Sequence, residues 1–204
     1  MRSLLIELTV LVFLTLIVYF FQPSATQYLA FYHIGLQNFE LWRLITATFC
    51  HTNFNHLLMN ISGLLVSVFL FIDTFKMIRL MPLIIFNSLL ISVMIFFFDA
   101  NVLWYVGFSG VLHGLFSYGV CSDIGKKDRW GYILGIAIIA KISFEQLYGA
   151  EQLTISLINA PVLINAHLYG AFSGLVFFIL QKNTFIKALS QRDLKSTLQI
   201  EKGN

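Results

Sequence analysis

The apolar positions of this chain come in long runs separated by short polar stretches. A run of about 20 apolar residues suits a helix that crosses a bilayer, since each residue rises about 1.5 Å against a hydrocarbon core of about 30 Å. Read this way, the pattern predicts six spans, at roughly 3–21, 54–72, 77–98, 109–123, 130–148 and 165–181. The expected fold class is an all-α membrane protein, a bundle of six transmembrane helices with a short fourth helix. Between the first two spans lies Gln22 to Asn53. It is too polar to span and too rich in aromatic and apolar residues for a free linker, so a folded segment at the membrane surface is expected. Pro82 lies near the start of the third span, where proline is best tolerated. The first run, Leu4 to Phe21, leads into Gln22-Pro23 without a small-x-small cleavage pattern and reads as a retained helix. The polar stretch 182–204 reads as a tail, and 1–204 as a single domain.

Composition agrees. Of 204 residues, 58% are hydrophobic and 11% charged, and the mean hydropathy of +0.80 excludes a soluble domain. The partner implied is the lipid bilayer. The net charge of +3 gives no ground for a nucleic-acid partner. Cys50 and Cys121 lie far apart, in neither a metal-type spacing nor a disulfide framework. Lysine and arginine then set the orientation. With the N-terminus in the cytoplasm, the inner segments hold Arg2, Lys76, Arg79, Lys126, Lys127, Arg129 and the cations from Lys182 onward, while the outer side holds Arg43. Lys141 falls inside a span. An even number of spans returns the C-terminus to the cytoplasm.

The candidate chemistry centres on Gly107-Phe108-Ser109-Gly110-Val111-Leu112-His113-Gly114. A serine at a helix start has backbone N–H groups and a favourable dipole beside it, a good place to stabilise an oxyanion. Gly107 and Gly110 permit close approach. Counting up from the cytoplasmic helix ends puts Ser109 at roughly 21 Å, His167 at roughly 22 Å, Asn60 at roughly 20 Å and His56 at roughly 25 Å. Four polar residues on three helices therefore reach one level inside the core. The short fourth span also forces Asp99 to Phe108 to dip into the membrane, which is tolerated where backbone is buried in protein or lines a wet cavity. The expectation is a pocket open to the outside, with Ser109 at its floor.

His167 is the candidate base for Ser109. Gly170 and Gly174 share its face and would let its helix pack closely on the one bearing Ser109. His56 and Asn60 sit one turn apart and both can donate hydrogen bonds, as an oxyanion site requires. His113 lies one turn below Ser109, placed to orient His167 or close a polar network. Lys141 and Glu145 form an i, i+4 pair inside a span. Such charges are expensive and by default functional. Either the pair lines the pocket or recognises a substrate group, or it is a neutralised pair that holds the helix in the bundle.

These motifs resemble the rhomboid family of intramembrane serine proteases. The match runs through Glu40-Leu41-Trp42-Arg43, His51, His56-Leu57-Leu58-Met59-Asn60, Gly107-Phe108-Ser109-Gly110 and Ala166-His167-Leu168-Tyr169-Gly170-Ala171-Phe172-Ser173-Gly174. The resemblance implies Ser109 as nucleophile and His167 as base, a dyad with no acid. It implies His56, Asn60 and the Ser109 N–H as oxyanion donors, Trp42 and Arg43 in a structural loop, no cofactor and no metal. Many rhomboids carry an aromatic residue four positions after the serine, and here that position is His113. The Gly-x-Ser-Gly-x-x-His-Gly form, with Lys141, Glu145 and Gln146, is similar to the rhombosortase branch. That branch implies a bacterial inner-membrane enzyme. Its substrates would be secreted proteins anchored by a C-terminal Gly-Gly motif, an apolar helix and a basic end. A helper protein is left open. The rival class is a catalytically silent rhomboid-like protein that binds membrane clients. A metal site of His51, His56, His113 and His167 is disfavoured, because no carboxylate lies near them in sequence.

Overall fold

A computed structural model describes the backbone of residues 2–203 and the side chains of residues 2–183. The elements run in order as α1 (Arg2–Phe20), α2 (Ser24–Leu29), β1 (Phe31–Tyr32), α3 (His33–Gln37), α4 (Arg43–Thr46), a 3-10 turn (Ala47–Phe49), α5 (Phe54–Leu70), α6 (Ile72–Phe75), α7 (Leu80–Phe98), β2 (Trp104–Tyr105), α8 (Ser109–Gly125), α9 (Arg129–Tyr148), α10 (Gln152–Ile158) and α11 (Ile164–Gly203). The chain is mostly helical, and the observed helices begin and end within a turn of the expected spans, except that α11 continues past the expected end at 181 to Gly203. The tail expected over 182–204 lies, beyond residue 183, outside the residues described with side chains.

By length and composition, four helices can cross a membrane: α1, α7, α9 and α11 through Asn183. Counting Arg43–Phe49 with Phe54–Leu70, a pair bent by 96°, as one broken span raises the number to five. α8, at 17 residues, is shorter. By these criteria the structure does not by itself yield six full-length spans. The physical reason is that α5 and α8, at 17 residues each, are shorter than the other apolar helices. Phe13, Phe69, Phe97 and Ile136 point away from the bundle, as side chains in hydrocarbon do. Polar residues of α7 point inward: Asn87, Ser88 and Ser92 are buried.

The segment Gln22–Asn53 is folded, and buried polar contacts hold it. Arg43 is buried, pairs with Glu40, and donates to the carbonyls of Gln27 (3.1 Å) and Ala30 (2.8 Å). Thr46 donates to the Leu29 carbonyl at 2.7 Å, and the Trp42 indole to that of Tyr28 at 3.0 Å. A buried charge is tolerable only when its donors are satisfied in this way. The segment is also tied to the connection before α8, since β1 pairs antiparallel with β2, Phe31 opposite Tyr105. At the opposite end of the bundle, Glu7 of α1 accepts the Leu80 and Met81 N–H groups and so caps α7.

α8 lies at the centre, with α11 along one side. A Cβ built on Gly170 or Gly174 would overlap the carbonyl oxygen of Gly110 or Gly114, respectively. The two backbones therefore touch, as small-residue helix pairs in membranes do. We expect Gly170→Val and Gly174→Val each to destabilise the fold by at least about 1–3 kcal/mol through overpacking. Unfolding midpoints in an SDS titration of purified protein check this, and wild-type midpoints would contradict it.

Candidate active site

Ser109 is the first residue of α8, and no side chain caps that helix. The N–H groups of its first turn are thus not occupied by a capping side chain. Just before it, Gly107 adopts φ of 121°, a conformation open to glycine. A Cβ there would lie 2.8 Å from His56 Cε1 and Nε2, so the His56 ring rests directly on this turn. The turn is fixed from outside by the Gly107 N–H, which donates to the Ala47 carbonyl at 3.3 Å.

The close α8–α11 contact brings His167 Nε2 to 3.0 Å from Ser109 Oγ. His167 Nδ1 lies 2.9 Å from Glu145 Oε2 of α9, and Glu145 Oε1 lies 2.8 Å from Lys141 Nζ. The His113 ring stacks on His167, with centroids 4.2 Å apart and planes 15° from parallel. His113 Nδ1 donates to the Ser109 carbonyl at 2.8 Å. The sequence leaves His113 and the Lys141–Glu145 pair with several roles open, and the fold puts all three residues around His167. The resemblance implies no acid in the dyad, whereas here a carboxylate contacts the histidine.

One cavity of about 280 Å³ is lined by His56, Asn60, Ser109, His113, Lys141, Glu145 and His167, among others. A second, of about 340 Å³, also reaches Ser109 and runs along Asn101–Val106 and Ala160–Leu163. His56 borders both. Asn60 is buried, and its Nδ2 has no hydrogen-bond partner among the described residues. His51 is buried too and lies edge to face with His56 at 5.0 Å.

α10 covers the site. Thr52 donates its hydroxyl to the Ile158 carbonyl at 2.8 Å, and the side-chain amides of Asn53 and Asn55 reach the Leu157 carbonyl at 2.9 and 3.2 Å. Thr52 also contacts His56 Nδ1, through its N–H at 3.4 Å and its hydroxyl at 3.1 Å. The sequence reading missed Thr52 and α10. One signal was available: Asn53 caps α5 by accepting the His56 N–H, and an asparagine before an apolar run marks such a start. Across the site, Asn165 donates to Asp99 at 2.6 Å and ties the entrance of α11 to the end of α7.

His113, Glu145 and His167 place potential ligand atoms within 4.8 Å of one another. This differs from the histidine set weighed on sequence, because His51 and His56 stand apart from it. Both nitrogens of His167 and Nδ1 of His113 already serve hydrogen bonds. That donor set is committed to hydrogen bonds within the protein rather than to a cation.

The rhomboid domain family profile matches residues 38–183. The chain is 28% identical over 157 residues to "Putative rhomboid protease YdcA" of Bacillus subtilis, covering 74% of this chain and 73% of that protein. It is 29% identical over 189 residues to "Rhomboid-like protein 11, chloroplastic" of Arabidopsis thaliana. That match covers 88% of this chain but 65%, just under two thirds, of the relative. With its apolar helices and a rhomboid domain spanning most of its length, the chain is a membrane protein and belongs to the rhomboid family, typically intramembrane serine proteases.

Proposed function

We propose that the protein is an intramembrane serine endopeptidase, with Ser109 as nucleophile and His167 as general base. The observation that carries this reading is the 3.0 Å contact of Ser109 Oγ with His167 Nε2 at a cavity bordered by buried donors. Ser109 Oγ attacks the carbonyl carbon of the scissile peptide while its proton passes to His167 Nε2. The carbonyl π pair moves to oxygen. The oxyanion is held by the Ser109 N–H, the Asn60 amide and His56 Nε2–H, in the tautomer whose Nδ1 accepts the Thr52 N–H. The C–N bond then breaks, and His167 returns the proton to the leaving amine. Water, activated by His167, releases the acyl group and restores Ser109. His113 supports the His167 ring by stacking, and Gly107, Gly110, Gly170 and Gly174 allow the close approaches. His51 packs against His56.

The reading extends to six spans in one domain, with both termini in the cytoplasm of a bacterium and the site near the outer face of its inner membrane. The lysine and arginine distribution supports this orientation. The substrate class is a transmembrane anchor. The His113, Lys141, Glu145 and Gln146 pattern favours the rhombosortase branch and Gly-Gly C-terminal signals. The name of the Arabidopsis relative, rhomboid-like, favours the rival reading of a silent client-binding protein.

The two readings separate in proteoliposomes containing a single-span reporter that ends in Gly-Gly, an apolar helix and a basic end. Wild type is expected to cleave it, and Ser109→Ala and His167→Ala to lose at least about 1000-fold in rate. Binding without cleavage by wild type would favour the client-binding reading. In the same assay His113→Ala is expected to slow turnover by up to about tenfold, the worth of one ring stack. His113→Phe, which keeps the stack, is expected to lose less. Equal losses would remove stacking from the account.

A further inference from the structure

Glu145 is turned into the bundle although its ion-pair partner is not. The Lys141 side chain is 48% exposed, while those of Glu145 and His167 are 14% and 8% exposed. A pair serving only to neutralise charge would have no reason to aim one carboxylate oxygen at the buried imidazole. Both oxygens are in use: Oε1 receives Lys141 Nζ and Oε2 faces His167 Nδ1. An ionised carboxylate only accepts hydrogen bonds, so His167 Nδ1 must carry the proton and donate it. Nε2 is then left with its lone pair toward Ser109 Oγ, the state a general base needs. The residues come from three helices: α8 supplies the serine, α11 the histidine and α9 the acid.

We propose that Glu145 is the acid of a Ser109–His167–Glu145 triad, a positioning residue that acts through His167. It fixes the imidazole tautomer and ring direction and stabilises the imidazolium that forms when Ser109 gives up its proton. This rests on the serine-protease reading above and adds to it an acid that the dyad lacks. No proton leaves His167 for Glu145. The Nδ1–H stays on the ring throughout, while Nε2 takes and returns the serine proton.

Lys141 gives the idea a sharp consequence. Its ammonium can only donate. In Glu145→Gln it would hold the amide oxygen, which turns the amide NH2 toward His167 Nδ1. The ring would then carry its proton on Nε2, and the lone pair facing Ser109 would be lost. Removing Lys141 as well frees the amide to turn over and accept from Nδ1–H. The second substitution is therefore expected to restore part of what the first removes.

The test is the rate at which a fluorophosphonate probe labels purified full-length protein in detergent, which reads serine activation without a known substrate. Glu145→Gln is expected to label about 100-fold more slowly than wild type. Lys141→Met is expected to lose less, and the Lys141→Met/Glu145→Gln double variant to label faster than Glu145→Gln alone. Should Glu145→Gln fail to fold, Glu145→Ala with added formate serves instead, and formate is expected to raise its rate. A merely structural pair predicts equal losses from both single variants, no recovery in the double variant and no response to formate. That result, or wild-type labelling of well-folded Glu145→Gln, would overturn the triad while leaving the Ser109–His167 reading intact. Absence of labelling in wild type, or labelling that survives Ser109→Ala, would overturn both.

Discussion

The contact of two helix backbones sets everything else in this structure. Gly170 and Gly174 of α11 lie against the Gly110 and Gly114 carbonyls of α8. Ser109 immediately precedes the first of those α8 glycines, and His167 lies one turn before Gly170. With glycine at these contact positions, the serine hydroxyl and the imidazole reach hydrogen-bond distance. Any side chain large enough to separate the backbones would pull the pair apart. Packing and chemistry thus share the same few positions.

The second constraint is the cost of polar groups away from water. The protein meets it in two different ways. Arg43 is closed off, with a carboxylate and two carbonyls around its guanidinium, and serves to hold Gln22–Asn53 in shape. Around Ser109 the polar groups instead line cavities, and the Asn60 Nδ2 is without a hydrogen-bond partner among the described residues. A donor left open in a pocket is costly for folding and useful for stabilising charge that appears during a reaction. Thr52, Asn53 and Asn55 join α5 to α10 over this pocket, so the covering element is held by hydrogen bonds rather than by a packed apolar face.

Much of this could be read from the sequence, for identifiable reasons. Helices in a bilayer are long and apolar, so their limits follow from composition. A constant rise per residue put Ser109, His167, His56 and Asn60 at one level, and the structure lines one cavity with all four. The glycine spacing after His167 already indicated which face meets α8. The six-span count was less secure, because α5 and α8, at 17 residues each, are too short to be marked as spans by length. The partner of Glu145 was hidden because rotation of α9 about its own axis is not encoded in a simple period: α9 buries only Gly131 and Gly135. The role of α10 was hidden as well, since its ties to α5 are made through main-chain carbonyls, which any sequence provides.

The central claim is that Ser109 is a nucleophile activated inside this pocket. Peptide mapping by mass spectrometry, after wild-type protein reacts with diisopropyl fluorophosphate, tests it most directly. The account predicts a single phosphoryl adduct, on Ser109. An unmodified Ser109 in folded protein, or an adduct on another serine, would contradict it.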